Sequence, residues 1–104
     1  MVFEEFKRLM AFETKGKFCI EILFEVQDSA QYNWCWMGKL PDKETKNDVF
    51  WYGLTDDGKN AYDYSTFEEF ASAKVFDGKS LLDIWDNVTI KSVNGCDPHI
   101  YLDR

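Results

Sequence analysis

Tyr32-Asn33-Trp34-Cys35-Trp36 and Phe50-Trp51-Tyr52-Gly53-Leu54 carry three of the chain's four tryptophans. Both stretches have strand length and alternate or run apolar, as strands with a buried face do. Each such ring removes roughly 150–250 Å² from water when buried, so what packs on these strands decides the fold. The same rings raise the functional question of whether one face of the sheet stays open for a partner.

Residues 17–27, just before the first stretch, form the clearest strand. Phe18, Ile20, Ile22, Phe24 and Val26 share one face; Cys19, Glu21, Leu23, Glu25 and Gln27 share the other. Asp28-Ser29-Ala30 reads as a short turn that sets Gln27 opposite Gln31. In that register Val26 faces Tyr32, Phe24 faces Trp34 and Ile22 faces Trp36 on one side of an antiparallel hairpin. The other side holds Leu23 beside Cys35 and Glu21 beside Met37. Residues 38–48, with Pro41 and mixed charges, read as a polar connection. Residues 49–54 return as a strand, and Asp56-Asp57-Gly58-Lys59 suits a type I turn. Closing that turn pairs Tyr52 with Tyr62 and Phe50 with Tyr64, leaving Trp51 and Gly53 on the far side with Ala61 and Asp63.

Helical signals flank these hairpins. Phe3, Phe6, Leu9 and Met10 form one stripe of a helix over residues 2–13, closed by Gly16. Ser65 and Thr66, with Glu68 and Glu69, offer capping boxes for a helix over residues 67–74 that buries Phe67, Phe70 and Ala71. Asp77-Gly78 breaks the chain, and Ser80 caps a second short helix containing Leu81, Leu82, Ile84 and Trp85. Residues 88–93 alternate again, Asn94-Gly95 is a turn dipeptide, and Asp97-Pro98 suits either a helical turn or the approach to an added edge strand. The expectation is an α+β fold, residues 1–104 forming a single globular domain. Its mainly antiparallel sheet of about five strands has an N-terminal helix and two short helices before the last strand. The helices cover one face, whose inner surface is Phe18, Ile20, Ile22, Phe24, Trp34 and Trp36.

Composition narrows function by exclusion. A chain of 104 residues with 45% hydrophobic and 17% aromatic content buries a core and is not disordered. The net charge of −7 argues against a phosphate-binding surface, and Lys39, Lys43 and Lys46 are interleaved with Asp42, Glu44 and Asp48. Direct nucleic-acid binding is therefore not expected. That charge is also sparse for a mimic of nucleic acid. No apolar run reaches the roughly 18–20 residues of a membrane span, and Glu4 and Glu5 stand where an export signal carries Lys or Arg. Three cysteines, Cys19, Cys35 and Cys96, fit free thiols in a reduced cytoplasm.

The residues that carry chemistry do not assemble. Cys96 and His99 make a C-x-x-H half-site, but zinc needs two further ligands. His99 is the only histidine, and a Cys–His nucleophile draws its partners from separate elements of a rigid frame. Glu21, Glu25 and Asp63 fit a polar outer face better than the deep sugar cleft of a glycosidase. No phosphate-cradling glycine loop, calcium loop or G-x-S-x-G occurs. The expectation is no enzyme, no cofactor and no metal.

What remains is the aromatic surplus. One explanation is a small domain filling its core with large side chains. The other is an exposed patch of Trp51, Met37, Leu23 and Cys35 rimmed by acids, which suits a protein interface. The functional expectation is a small acidic cytoplasmic protein-binding module, accessory or inhibitory, working through that face as a monomer or weak dimer. Its partner would be a protein with a basic surface. The alternative is a small-molecule-binding domain with an aromatic pocket near residues 38–48. Phe76-Asp77-Gly78-Lys79-Ser80-Leu81 and Ile84-Trp85-Asp86, together with Trp51-Tyr52-Gly53-Leu54, resemble segments of small uncharacterised proteins from gut bacteria and their mobile elements. That resemblance implies an accessory or host-interaction role and assigns no activity or site residue.

Overall fold

The computed structural model describes residues 2–11, 19–29, 31–42, 47–54 and 61–96. Helix α1 (Phe3–Ala11) precedes strands β1 (Ile20–Val26), β2 (Cys35–Pro41), β3 (Asp48–Gly53) and β4 (Ala61–Tyr64). Helices α2 (Phe67–Ser72) and α3 (Leu81–Ile84) follow. A 3-10 turn (Trp85–Asn87) then leads into β5 (Val88–Val93). The five strands form one sheet in the order β4-β3-β2-β1-β5, with every neighbouring pair antiparallel. The architecture is the expected α+β fold: a four-strand meander whose chain then crosses to the opposite edge and adds β5 beside β1. Gly16, Phe18, the Asp56–Lys59 turn and residues 97–104 lie outside the described residues.

One aromatic face holds the helices to the sheet. Tyr52 stacks on Phe70 with ring centroids 4.2 Å apart and planes 11° from parallel. Its hydroxyl donates to the Phe70 carbonyl at 2.6 Å. That carbonyl lies in the last turn of α2, where no N–H four residues on is available inside the helix. Phe70 meets Phe6 of α1 at 6.4 Å, and Phe6 packs on Trp85 at 4.7 Å. On the other side Phe76 sets its edge against Tyr52 at 5.5 Å and against Tyr32 at 5.3 Å. Phe6, Met10, Phe70, Leu81, Ile84 and Trp85 all join one buried cluster with Ile22, Phe24, Met37 and Tyr52 of the sheet.

The turns and caps follow local chemistry. Thr66 caps α2 by accepting from the Glu69 N–H at 3.1 Å. The Glu69 carboxylate takes the hydroxyls of Ser65 and Thr66 instead of returning to the cap backbone. Ser80 and Asp83 close a full capping box on α3. Asp77 and Gly78, with φ of 53° and 84°, and Asn94 and Gly95, with 52° and 76°, form two tight turns needing positive φ at both central positions. Each is closed by a reciprocal pair of backbone bonds, Phe76 with Lys79 and Val93 with Cys96.

Two strand expectations are corrected. The first hairpin is slipped by one residue: Phe24 pairs with Cys35, Leu23 with Trp36 and Ile22 with Met37. The connection is residues 27–34 rather than a short turn. It is held by Val26 N–H to the Tyr32 carbonyl at 2.8 Å and by Tyr32 N–H to Ser29 Oγ at 3.1 Å. A slip of one residue moves a whole strand's side chains to the opposite face. Trp34 is accordingly 59% exposed rather than internal, and Trp36 faces outward. Residues 38–41 belong to β2, and the polar connection shrinks to residues 42–47, tied by Asp42 N–H to the Asn47 carbonyl. The second hairpin has the predicted register, Tyr52 with Tyr62 and Phe50 with Tyr64.

Tyr52→Phe should lower stability by about 1–2 kcal/mol in urea denaturation, because the Phe70 carbonyl then has no partner in the core. The Asp83 carboxyl is held below the ordinary aspartate value of 3.8, first by the Ser80 backbone N–H and then by its hydroxyl. With the folded value depressed, this cap stabilises fully above the ordinary value and fades as pH falls through the lowered one. Asp83→Asn should therefore flatten the acid limb of the unfolding midpoint below about pH 4 while changing its shape little near neutrality.

Candidate functional site

The sheet's second face is built from the alternate residues of the same strands. Pairing sets Trp36 opposite Gly53 and Gly38 opposite Trp51. Each tryptophan thus faces a glycine across the strands, in a two-by-two checkerboard. Gly38 leaves room for the neighbouring ring: a Cβ there would lie 3.2 Å from Trp51 Cζ2. It would also overlap the Ile20 carbonyl oxygen. At Gly53 the corresponding distances are 3.7 Å to Trp51 Cζ3 and 3.9 Å to Trp36 Cβ. The Trp51 indole therefore spans both glycines and lies along the strands, giving a low aromatic platform.

Leu23, buried, and Leu40, 40% exposed, share this face, and Trp34, 59% exposed, precedes β2 on the 27–34 connection. Trp36 and Trp51 are half-buried. Neither they nor Leu23 belong to the cluster that receives the helices, so no described helix covers this face.

Of the four residues expected to form a patch, the structure brings Trp51 and Leu23 to this face. Cys35 and Met37 are fully buried on the opposite one. The one-residue slip is the physical cause. Cys35 points its thiol at the Leu54 carbonyl at 3.6 Å, and Met37 lies between Ile22 and Tyr52 in the cross-strand row. Trp36 takes their place outside. The signal that could have found it is the pairing of each tryptophan with a glycine, which only this β2–β3 register provides.

Charges surround the platform unevenly. Continuing the rows across the sheet, one reads Asp63–Trp51–Gly38–Glu21 and the next Ala61–Gly53–Trp36–Leu23. Carboxylates thus stand at both ends of the first row. Glu25 is paired with Lys91 at 3.4 Å. On the core face, Lys39 is buried and its ammonium reaches Asp48 at 3.4 Å. Burying a lysine is costly unless it is paired, and Asp48 sits two residues before Phe50 to meet it.

Other chemistry is sparse. Cys19 and Cys96 are exposed free thiols, and His99 lies outside the described residues. Among the described residues no group of three or more potential metal ligands converges. No helix among them is long and apolar enough to cross a membrane. Burial raises the Tyr32 hydroxyl, and the neighbouring Asp77 carboxylate adds to that shift. An open groove of about 630 Å³ is lined by Glu25, Val26, Gln27, Asp28, Ser29 and Asn33 at the end of β1 and its connection. With one aliphatic side chain in its lining, it lacks the apolar walls of a small-ligand pocket. Of the stretch 38–48 near which a pocket is expected, residues 38–41 belong to β2 and residues 43–46 lie outside the described residues.

The two platform glycines should respond differently to a methyl group. Gly38→Ala should cost about 1–3 kcal/mol, because the added carbon meets backbone. Gly53→Ala should stay within about 0.5 kcal/mol of the parent in the same denaturation series, since its contacts are ordinary. No protein-family model, curated protein or solved structure matches the chain, and its own residues carry the functional reading.

Proposed function

We propose that this protein is a small acidic protein-binding module, accessory or inhibitory, of a reducing cytoplasm. It engages its partner through the outer face of the sheet, and we assign it no catalytic activity. The observation that carries this reading is that Trp36 and Trp51, both half-buried, each stand opposite a glycine on the face no described helix covers, with the Trp51 ring against both glycines. Half-buried tryptophans on a rigid sheet lose little freedom on binding, and tryptophan is enriched among interface hot spots. A solitary exposed tryptophan would carry little weight, since exposed apolar residues are common. Two half-buried tryptophans on one face with the exposed Leu40 present more apolar surface than such a single residue does. The resemblance of residues 76–86 to small proteins of gut bacteria fits an accessory role.

The test places a photo-crosslinking phenylalanine derivative at Trp34, which is 59% exposed and two residues from Trp36 in the chain. One discrete adduct should form in native extract. Trp36→Ala and Trp51→Ala should each weaken its formation about thirtyfold, as loss of a 2 kcal/mol hot spot does, with cooperative unfolding retained. An adduct that survives both substitutions in folded protein would refute the proposal.

A further inference from the structure

The row Asp63–Trp51–Gly38–Glu21 crosses four adjacent strands. Both terminal carboxylates are exposed, and neither makes an ion pair with a described residue. The one lysine of this face among the described residues, Lys91, is engaged by Glu25. The aromatic centre is thus bracketed by two available negative charges in a chain of net charge −7.

We propose that this row recognises an extended basic segment of a partner protein with Lys or Arg at positions i and i+4. Resting on the protein-binding reading above, the inference names the chemistry of the partner. Three strand spacings of about 4.8 Å put the backbones of Asp63 and Glu21 roughly 14 Å apart. An extended chain rising about 3.3 Å per residue covers roughly 13 Å in four residues, and positions i, i+2 and i+4 point the same way. A segment lying across the strands therefore sets one cation at Asp63 and one at Glu21. Its i+2 side chain rests on the Trp51 indole, which lies against Gly38 between the two carboxylates. Cations at i and i+3 point to opposite sides and cannot serve both carboxylates.

Two other occupants fit less well. A second copy of this chain would bring Glu21, Glu25 and Asp63 against their own kind, which is repulsive. A nucleic acid would place phosphates against the same carboxylates.

The experiment titrates the full chain with short acetylated and amidated peptides, read by tryptophan fluorescence. One carries arginines at i and i+4 with leucine at i+2 and serine elsewhere. The other has the same composition with arginines at i and i+3. The first should bind about tenfold more tightly, with the preference shrinking as salt is raised. Glu21→Gln with Asp63→Asn should abolish the preference, while Trp51→Ala weakens both peptides. Equal binding of the two peptides, no binding of either, or a preference surviving the double substitution would overturn the inference. Concentration-dependent self-association in place of peptide binding would also overturn it, identifying a second copy as the occupant. If Trp36→Ala and Trp51→Ala still weaken formation of the cross-linked adduct in any of these cases, the protein-binding reading stands and only the partner chemistry fails.

Discussion

The contact of Tyr52 with Phe70 settles which side of the sheet becomes the interior. Stacking and a hydrogen bond act on the same ring, and the hydrogen bond satisfies a helix carbonyl that would otherwise be orphaned. Because side chains alternate along a strand, placing Tyr52 inside forces Trp51 and Gly53 outside. The antiparallel ladder transmits that choice to Met37 and Gly38 on β2, and onward to Ile22 and Glu21 on β1. One helix-bound tyrosine thus dictates the composition of the opposite surface.

This constraint explains an otherwise awkward arrangement. β2 buries Lys39 and presents Trp36, an inversion of what solvation alone would prefer. The inversion is held by three separate contacts. Met37 and Cys35 fill the core, Asp48 receives the Lys39 ammonium, and Gly53 stands opposite Trp36 across the strands. The outward slip of the tryptophans is enforced by packing on the inside, not by any gain on the outside.

Much of the fold was legible because its signals are local. The alternation of Ile20, Ile22 and Phe24, the Ser80 capping box and the Asp77-Gly78 turn each rest on a few neighbouring residues. The second hairpin's register could be read for the same reason, since its glycine turn and tyrosine spacing agree. The first hairpin could not. Its connection buries Tyr32 against Phe76, a residue more than forty positions away, and that contact shifts the parity of everything after it. A signal of that kind exists only in three dimensions. The site inherited the error: Trp51 and Leu23 depend on local alternation, whereas Cys35 and Met37 depended on the slipped register.

The added strand β5 has a consequence for folding order. The contacts of β1 through β4 join successive strands, which pay a small loop-closure cost. The contact that seats β5 joins Glu21 to Asn94, 73 residues apart, and follows the whole helical crossover. The checkerboard of Trp36, Gly38, Trp51 and Gly53 lies wholly within β2 and β3. It therefore rests on the short-range contacts of the meander and not on the long-range closure. Weakening the β1–β5 seam should leave that checkerboard among the last parts of the sheet to lose its shape.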